Sequence, residues 1–256
     1  MLTVKDLKIE FFDHELPEVA VKDVDFTIED GEILGIVGES GSGKSMTAMA
    51  IAGLLNRKDL TKSGSIDFDG TDILNSPRSK IREIQGKDIG FVFQDPLNSM
   101  NPVLKVGPQV EEAMRIRKKS LNLSKEDMKK RALEVMKSVG LDDAERIYDS
   151  YPHQISGGQR QRAMIAAALV LKPKLLICDE PTTALDVTVQ KKIIDVLKEL
   201  NRKTKTSILF ISHDLSVIKA LCDKVLVMKD GLVVEEGSVK DIFENPAKEY
   251  TKQLIF

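Results

Sequence analysis

One glycine-rich run, set between an apolar segment and a helical segment, limits the possible folds of this chain more than any other feature. Residues 38–45 follow the pattern G-x-x-x-x-G-K-[ST], which is typical of a phosphate-binding loop. The apolar run Ile33–Val37 before it predicts a buried parallel strand, and the alanine-rich residues 46–55 after it predict a helix. The order strand, loop, helix therefore predicts an α/β fold whose loop binds nucleotide phosphates.

The residue types in this run fit that chemistry. Glycines let the backbone curl so that N–H groups point at phosphate oxygens, and the start of the following helix adds the positive end of its dipole. Lys44 can reach the β- and γ-phosphates, and the Ser45 hydroxyl suits a Mg²⁺ ligand. A glycine-rich turn that binds nothing is the alternative. The candidate nucleotide-binding residues are Gly38, Glu39, Ser40, Gly41, Ser42, Gly43, Lys44, Ser45 and Met46.

Length and composition exclude several classes of protein. The 256 residues allow one large α/β domain, or one domain with a smaller insertion. The net charge of −2 argues against a dedicated nucleic-acid binder. No apolar run approaches the roughly 18 residues of a membrane span, and the early charges at the N-terminus argue against a secretory signal. Cys178 and Cys222 lack metal-site spacing, so we expect buried, reduced thiols in a cytoplasmic protein.

Hydrophobic spacing divides the chain into regions. Alternation over residues 2–37 predicts an antiparallel sheet, and Asp230-Gly231 predicts a closing hairpin. Ser76-Pro77 predicts a helix that Ser76 caps. Residues 106–118 and 124–139 have helical spacing, the latter with a capping box at Ser124 and Asp127. We expect a helical insertion within a β/α core.

Polar residues follow three of the predicted strands. Asp179 and Glu180 come after Leu175–Cys178, Gln94 follows Ile89–Phe93, and His213 lies two residues beyond the strand at Ile208–Ile211. Because such strand ends border the ligand crevice of α/β folds, we expect these groups beside the phosphate loop. Asp179 would then hold Mg²⁺, and Glu180 would act as general base toward water. Each pattern is weak evidence alone. Asp179-Glu180 could be a solvated pair in a loop, and His213 could be a helix-start residue with no catalytic part.

A second anion-binding helix start follows at Ile155–Gln159. One nucleotide needs one such cradle, so the second is surplus unless it serves another subunit. At this point the chain resembles the ATP-binding cassette (ABC) ATPases. Their motifs are matched in order by the signature loop Ser156, Gly157, Gly158 and Gln159, the Q-loop Gln94, the Walker B end Asp179-Glu180, the D-loop Ala184-Leu185-Asp186 and the switch histidine His213.

The resemblance implies a P-loop NTPase ABC cassette: a RecA-like core, an N-terminal antiparallel β subdomain and an inserted α-helical subdomain. Residues 1–95 and 160–256 would form the ATP-binding core, and residues 96–159 the helical subdomain. It also implies a head-to-tail pair of cassettes that share ATP, with the signature-loop residues and Asp186 among those that bind the nucleotide. Magnesium would be held by Ser45, Gln94 and Asp179, and catalysis would rest on Glu180, His213, Gln94 and Lys44. Adenine would stack on Phe11, with Phe12 as the competitor.

The segment around Phe91–Pro96 and the ending at Tyr250-Thr251 resemble the ATPases of oligopeptide, dipeptide and nickel importers. This implies a peripheral subunit on the cytoplasmic face of the membrane, with transmembrane permease subunits, an extracytoplasmic solute-binding protein, and a second ATPase subunit that is a copy or a paralogue. Nucleic acid would not be a partner. The alternatives are an ABC ATPase that drives a non-transport mechanical process, a phosphate-loop kinase and a nucleotide sensor.

Overall fold

The computed structural model describes residues 1–12, 18–94, 99–182 and 186–255, and the chain divides into two compact units. The first unit comprises residues 1–85 and 207–256, and the second comprises residues 86–206. Each unit has strands and helices of its own. The strands are β1 (Leu2–Phe11), β2 (Glu18–Ile28), β3 (Ile33–Val37), β4 (Leu60–Phe68), β5 (Thr71–Asp72), β6 (Ile89–Val92), β7 (Leu175–Asp179), β8 (Ser207–Ile211), β9 (Lys224–Lys229) and β10 (Leu232–Ser238).

Both units contain helices. Those of the first unit are α1 (Lys44–Ile51), α2 (Arg78–Ile84), α10 (Leu215–Leu221), α11 (Val239–Glu244) and α12 (Glu249–Ile255). Those of the second unit are α3 (Val106–Val110), α4 (Glu112–Ile116), α5 (Lys118–Leu121), α6 (Lys125–Ser138), α7 (Ala144–Asp149), α8 (Gly157–Leu169) and α9 (Val187–Thr204), with a short 3₁₀ turn at Pro152–Gln154.

The first unit combines an antiparallel sheet with a parallel one. β1 pairs with β2 and β4, and the two-residue strand β5 completes the order β2-β1-β4-β5. In the other sheet β3 runs parallel to both β8 and β9, and β10 returns antiparallel to β9. The predicted closing hairpin is confirmed. The predicted N-terminal antiparallel sheet is confirmed for β1 and β2, whereas β3, within the same predicted range of residues 2–37, lies in the other sheet. The phosphate loop therefore leaves a strand that has parallel neighbours on both sides.

Burial explains why the two sheets have different sequence patterns. Leu7 and Ile9 of β1 are fully buried, whereas their neighbour Lys8 is partly exposed, as expected for a sheet with one solvated face. Every residue of β3 and β8 is buried. Parallel strands covered on both faces have continuous apolar runs, so Ile33–Val37 shows no alternation.

The second unit places helices around two parallel strands. β6 and β7 pair in register from Ile89 with Leu175 to Val92 with Cys178. Both strands therefore end at the same edge. Gly90 of β6 lies so close to the carbonyl oxygen of Ala168 that a Cβ atom there would be 2.7 Å away, which shows how tightly α8 packs on this pair.

The structure corrects two details of the predicted helices. The helix expected over residues 106–118 is divided into α3, α4 and α5. Backbone hydrogen bonds continue through Glu111, whose N–H donates to the Gly107 carbonyl at 3.0 Å, and the backbone leaves helical angles only at Arg117, with φ −101° and ψ 15°. Ser76 does not cap α2, which begins at Arg78 with Pro77 in the capping position. The predicted capping box of Ser124 and Asp127 is confirmed on α6.

Glu111 is a buried carboxylate that contacts side chains of α4 and α7 in the second unit. It is 2% exposed, accepts a short hydrogen bond from the Tyr148 hydroxyl, and pairs with the Arg115 guanidinium at 2.8 Å. Burial, together with the bond to Glu111, raises the pKa of Tyr148 above its ordinary value. Gly107 packs against the same ring, because a Cβ there would lie 2.3 Å from it. One tyrosine thus joins α3, α4 and α7.

Other expectations concern the whole chain. Cys178 and Cys222 are buried thiols that are not joined to each other, as predicted. Within the described ranges, no helix is long and apolar enough to cross a membrane. The expected subdomain boundaries at residues 96 and 159 do not coincide with the limits of the compact units at 86 and 206, and they stay a prediction.

Tyr148→Phe tests whether the Tyr148 hydroxyl holds Glu111. Loss of one partner of a buried acceptor should lower the free energy of unfolding by about 1 kcal/mol, since Arg115 remains. The folded-state pKa of Tyr148 is raised, so its contribution is complete below the unfolded-state value of about 10 and is lost as pH rises. Urea unfolding at pH 7.5 and 10.5 should therefore show a smaller alkaline loss for the variant.

Tyr151→Phe, at a ring that is 36% exposed, is the matched control and should unfold like the wild type. Equal stabilities of wild type and Tyr148→Phe at both pH values would mean that Glu111 does not depend on this hydroxyl.

Candidate ATP site and its loops

The loop between β3 and α1 is built on glycines with left-handed backbones. Gly38, Gly41 and Gly43 have φ angles of 150°, 82° and 96°. A Cβ on Gly38 would lie 2.1 Å from the Met228 carbonyl oxygen, and a Cβ on Gly43 would lie 2.6 Å from that of Ala20. Only glycine allows both the conformation and the close approach. The loop is therefore pressed against the backbones of β2 and β9.

Lys44 opens α1 and is only 5% exposed. Its ammonium donates to the carbonyl oxygens of Gly38 at 2.9 Å and Glu39 at 2.8 Å, and meets the Ser42 hydroxyl at 3.4 Å. A buried ammonium carries a charge that an anion can complement. The loop therefore combines a fixed cation with a helix N-terminus, which is the donor set that phosphate oxygens require.

The other loop residues differ in exposure. Glu39 and Ser40 are exposed, Ser42 is buried, and Ser45 and Met46 are half-buried at the start of α1. The Ser42 carbonyl accepts a hydrogen bond from the Gly231 N–H at 3.3 Å, which ties the loop to the β9–β10 turn.

His213 follows β8 in the first unit. It is exposed, and its chain neighbours fix the backbone around it, since the Asp214 N–H donates to the Ser212 hydroxyl at 2.9 Å. The Asp214 carboxylate in turn caps α10 by accepting from the Ser216 N–H at 2.9 Å. The histidine is thus displayed between a buried strand and a capped helix.

In the second unit the ends of β6 and β7 bring two predicted site residues together. Gln94 lies two residues beyond β6, and its amide donates to the Glu180 carboxylate at 2.9 Å. Asp179, the last residue of β7, is 6% exposed. Glu180 has a φ of 46°, a backbone conformation that costs a non-glycine residue of order 1–3 kcal/mol. A strained carboxylate held by an amide is a typical feature of a functional site.

Ser156 begins α8 with a reciprocal cap. Its hydroxyl accepts from the Gln159 N–H at 3.3 Å, and the Gln159 side chain accepts from the Ser156 N–H at 3.0 Å. Ser156 is exposed, and a Cβ on Gly157 would meet nothing within 4 Å. A Cβ on Gly158 would lie 2.7 Å from Val189. The loop thus has an open side at Gly157 and a packed side at Gly158.

Comparison with known proteins decides the family. The model of a family described as "ABC transporter" matches residues 21–183. The chain belongs to the ABC transporter family. The predicted ABC cassette fold, the ATPase activity, and ATP with Mg²⁺ as ligands are thereby confirmed.

Curated ABC relatives match the entire chain. The dipeptide transport ATP-binding protein DppD of Haemophilus influenzae is 44% identical, with 76% of its length covered. The oligopeptide transport ATP-binding proteins OppD of Escherichia coli and Bacillus subtilis are 45% and 46% identical, with 74% and 71% covered. The predicted likeness to this ABC subfamily is confirmed.

Solved ABC structures have the same fold. A dimeric post-hydrolysis state of the cassette MJ0796 bound to ADP and Pi is 32% identical and has a TM-score of 0.84, with 93% of this chain and 99% of that chain covered. CbiO1 of Clostridium perfringens, part of the transporter complex cbiONQ, is also 32% identical, with a TM-score of 0.77 over 95% of this chain and 90% of that chain.

The ABC D-loop is only partly described. Ala184 and Leu185 lie outside the described residues, whereas Asp186 caps α9 by accepting from the Val189 N–H at 3.0 Å. Val189 is also the residue against which Gly158 packs. The signature loop and the start of the D-loop helix therefore meet at one valine, a connection that the sequence motifs do not show.

The predicted adenine platform has a neighbour that sequence reasoning missed. The Arg57 guanidinium lies 5.2 Å from the centroid of the half-buried Phe11 ring and forms an ion pair with Asp59. Phe12 is 50% exposed. The choice between Phe11 and Phe12 stays a prediction. No sequence signal identifies Arg57, because its contact joins the end of β1 to the segment between α1 and β4.

The three predicted Mg²⁺ ligands have three different oxygen donor groups. Ser45 offers a hydroxyl, Gln94 an amide oxygen and Asp179 a carboxylate. Across the described ranges, no group of three or more His, Cys, Asp or Glu side chains could hold a metal ion. A single carboxylate fits Mg²⁺ bound jointly with phosphates and water, which is the usual arrangement in ATPases.

Gly43→Ala should weaken nucleotide binding by the phosphate loop. The new Cβ would lie 2.6 Å from the Ala20 carbonyl oxygen, and alanine rarely adopts a φ of 96°. The loop must therefore shift, and its N–H groups would no longer point toward the bound phosphates. We expect an affinity at least tenfold weaker, because the loss of about 1.4 kcal/mol of binding free energy, roughly one hydrogen bond, lowers affinity by a factor of ten. Titration with a fluorescent ATP analogue measures it.

Gly70→Ala is the control, because Gly70 also has a positive φ of 77° but nothing within 4 Å of the added Cβ. It should lose a little thermal stability and keep wild-type affinity. Wild-type affinity in a folded Gly43→Ala protein would show that the close approach at Ala20 does not shape the binding site.

Proposed function

We propose that this chain is the ATP-binding and ATP-hydrolysing subunit of a membrane importer of peptides. The observation that carries the hydrolytic part is the hydrogen bond from Gln94 to Glu180, because it holds a carboxylate at the end of a strand in a strained conformation. The peptide part is supported by relatives named for dipeptide or oligopeptide transport that match the chain from end to end. Nickel, the other solute expected from sequence, has no such support.

The residues of the chain divide the work of hydrolysis by chemistry. Lys44 and the loop N–H groups bind the phosphates, and Glu180 accepts a proton from the attacking water. Ser45, Gln94 and Asp179 would hold Mg²⁺, which neutralises charge on the phosphate oxygens when bound. His213, exposed after β8, would contact the γ-phosphate.

A second copy or a paralogue completes the site. The exposed cap at Ser156 with the open side of Gly157 gives α8 an N-terminus that can approach a phosphate bound to another chain. MJ0796, with which this chain shares the cassette fold, has been solved as a dimer. In a head-to-tail pair, the phosphate loop of one cassette faces the signature loop and Asp186 of the other.

Coupling to transport requires further subunits. The relatives are named as transport ATP-binding proteins, which supports the proposal that the solute passes through separate permease subunits. We infer a peripheral position on the cytoplasmic face, with an extracytoplasmic solute-binding protein delivering the peptide. Peptide uptake by the reconstituted complex, compared with nickel uptake, tests the solute.

Glu180→Gln should keep ATP binding and lower turnover by about 10²–10⁴-fold, the usual contribution of a general base. The amide can still bond to Gln94 but cannot accept a proton. Steady-state ATPase assays and size-exclusion chromatography with ATP should show an inactive, stabilised dimer.

Glu199→Gln, at an exposed carboxylate of α9 that pairs with Lys203, is the matched control and should turn over normally. Normal turnover by Glu180→Gln would remove Glu180 from the role of base.

Ser156→Arg should stop hydrolysis and leave ATP binding to the monomer intact, because the signature loop acts on the neighbouring cassette. Ser124→Arg removes an equivalent cap from α6, at a similar cost of about 1 kcal/mol, and should keep activity. Mixing Ser156→Arg with Lys44→Ala chains should restore turnover, since each mixed dimer contains one intact composite site. Absence of that rescue, or weaker ATP binding by the Ser156→Arg monomer, would place the loop in its own chain's site.

A further inference from the structure

The phosphate loop has a contact with helix α12 that lies outside the phosphate-loop pattern itself. The Glu39 N–H donates a hydrogen bond to the Tyr250 hydroxyl at 3.2 Å, across 211 residues of sequence. Both residues belong to the first unit. Tyr250 is half-buried, so its oxygen is held beside the loop.

The contact acts on the peptide group that also binds Lys44. The Gly38 carbonyl accepts from the Lys44 ammonium at 2.9 Å, and the N–H of the same peptide group, that of Glu39, donates to Tyr250. A trans peptide group is planar, and its C=O and N–H point to opposite sides. Rotation that breaks one bond therefore turns the other, and bonds in such a chain polarise each other.

Several contacts fix Tyr250 itself. The Glu235 carboxylate accepts from the N–H groups of Ala247 at 2.7 Å and Lys248 at 3.0 Å, just before α12 begins. The Lys229 ammonium lies 4.5 Å from the Tyr250 ring centroid. These contacts anchor the ring from β9 and β10, the hairpin that also supports the loop at Met228 and Gly231.

We propose that Tyr250 is a positioning residue for ATP binding: its hydroxyl holds the Gly38–Glu39 peptide group in the orientation that keeps Lys44 aimed for the phosphates. The inference rests on the proposed use of this loop for ATP. It adds α12 to the nucleotide site and gives the C-terminal helix a role in affinity, separate from the chemical step.

Tyr250→Phe tests this with the loss of one oxygen atom, because the ring and its contact with Lys229 remain. We expect the dissociation constant of MgATP to rise about fivefold, the effect of one hydrogen bond. The kcat at saturating ATP should not change, so the effect appears in KM. Lys252→Ala on the exposed side of α12 should have no effect.

Tyr148→Phe is the matched removal of a hydroxyl from another tyrosine, and it should lower stability without changing the dissociation constant. Hydrogen exchange of the Glu39 amide, followed by NMR, reports the contact directly and should become about fivefold faster in Tyr250→Phe. A purely structural role for Tyr250 would change the unfolding midpoint and neither of these readouts.

The outcomes are distinct. Faster exchange with weaker MgATP binding supports the proposal, whereas either change without the other, or neither, overturns it. If the wild-type chain does not bind MgATP, the proposed function fails instead, and the Glu39 exchange rates still report whether the hydroxyl holds the loop.

Discussion

The architecture depends on a close approach of backbones at the phosphate loop. Gly38 and Gly43 lie against the carbonyl groups of Met228 and Ala20, at distances that leave no room for a Cβ. This packing fixes the path of the loop, and the carbonyl groups of Gly38 and Glu39 in turn hold the Lys44 ammonium. The strands β3 and β8 of the first unit, which are buried throughout, support the loop and maintain the approach.

The second unit supports its site residues by packing and capping. Glu180 keeps a left-handed backbone while bonded to Gln94, and this strain persists because β7 is buried along its whole length. Ser156 is exposed, but Gly158 two residues later is fixed against Val189. Each functional group is thus presented from an element that cannot easily move, which is how a site keeps the geometry that catalysis requires.

Sequence-based prediction succeeded where the interacting residues are close together along the chain. The capping box at Ser124 was predictable because both partners lie within one turn. The burial of the Glu111 carboxylate was not predictable, because its partner Tyr148 lies 37 residues away in the sequence. Arg57 beside Phe11 and Tyr250 beside Glu39 were missed for the same reason. Contacts between distant segments leave no periodic trace in the sequence.

The sequence alone determined the class of fold and the family, and it predicted a set of residues for ATP chemistry. Glycine, lysine and carboxylate residues at these spacings are typical of nucleotide-binding folds, so their order along the chain indicated the family. Only the tertiary structure decided which partners hold them: Gln94 on Glu180, Val189 under Gly158, and Tyr250 on the loop. The physical reason is that motif spacing is set by local backbone geometry, whereas these partners are chosen by the packing of strands and helices far apart in the chain.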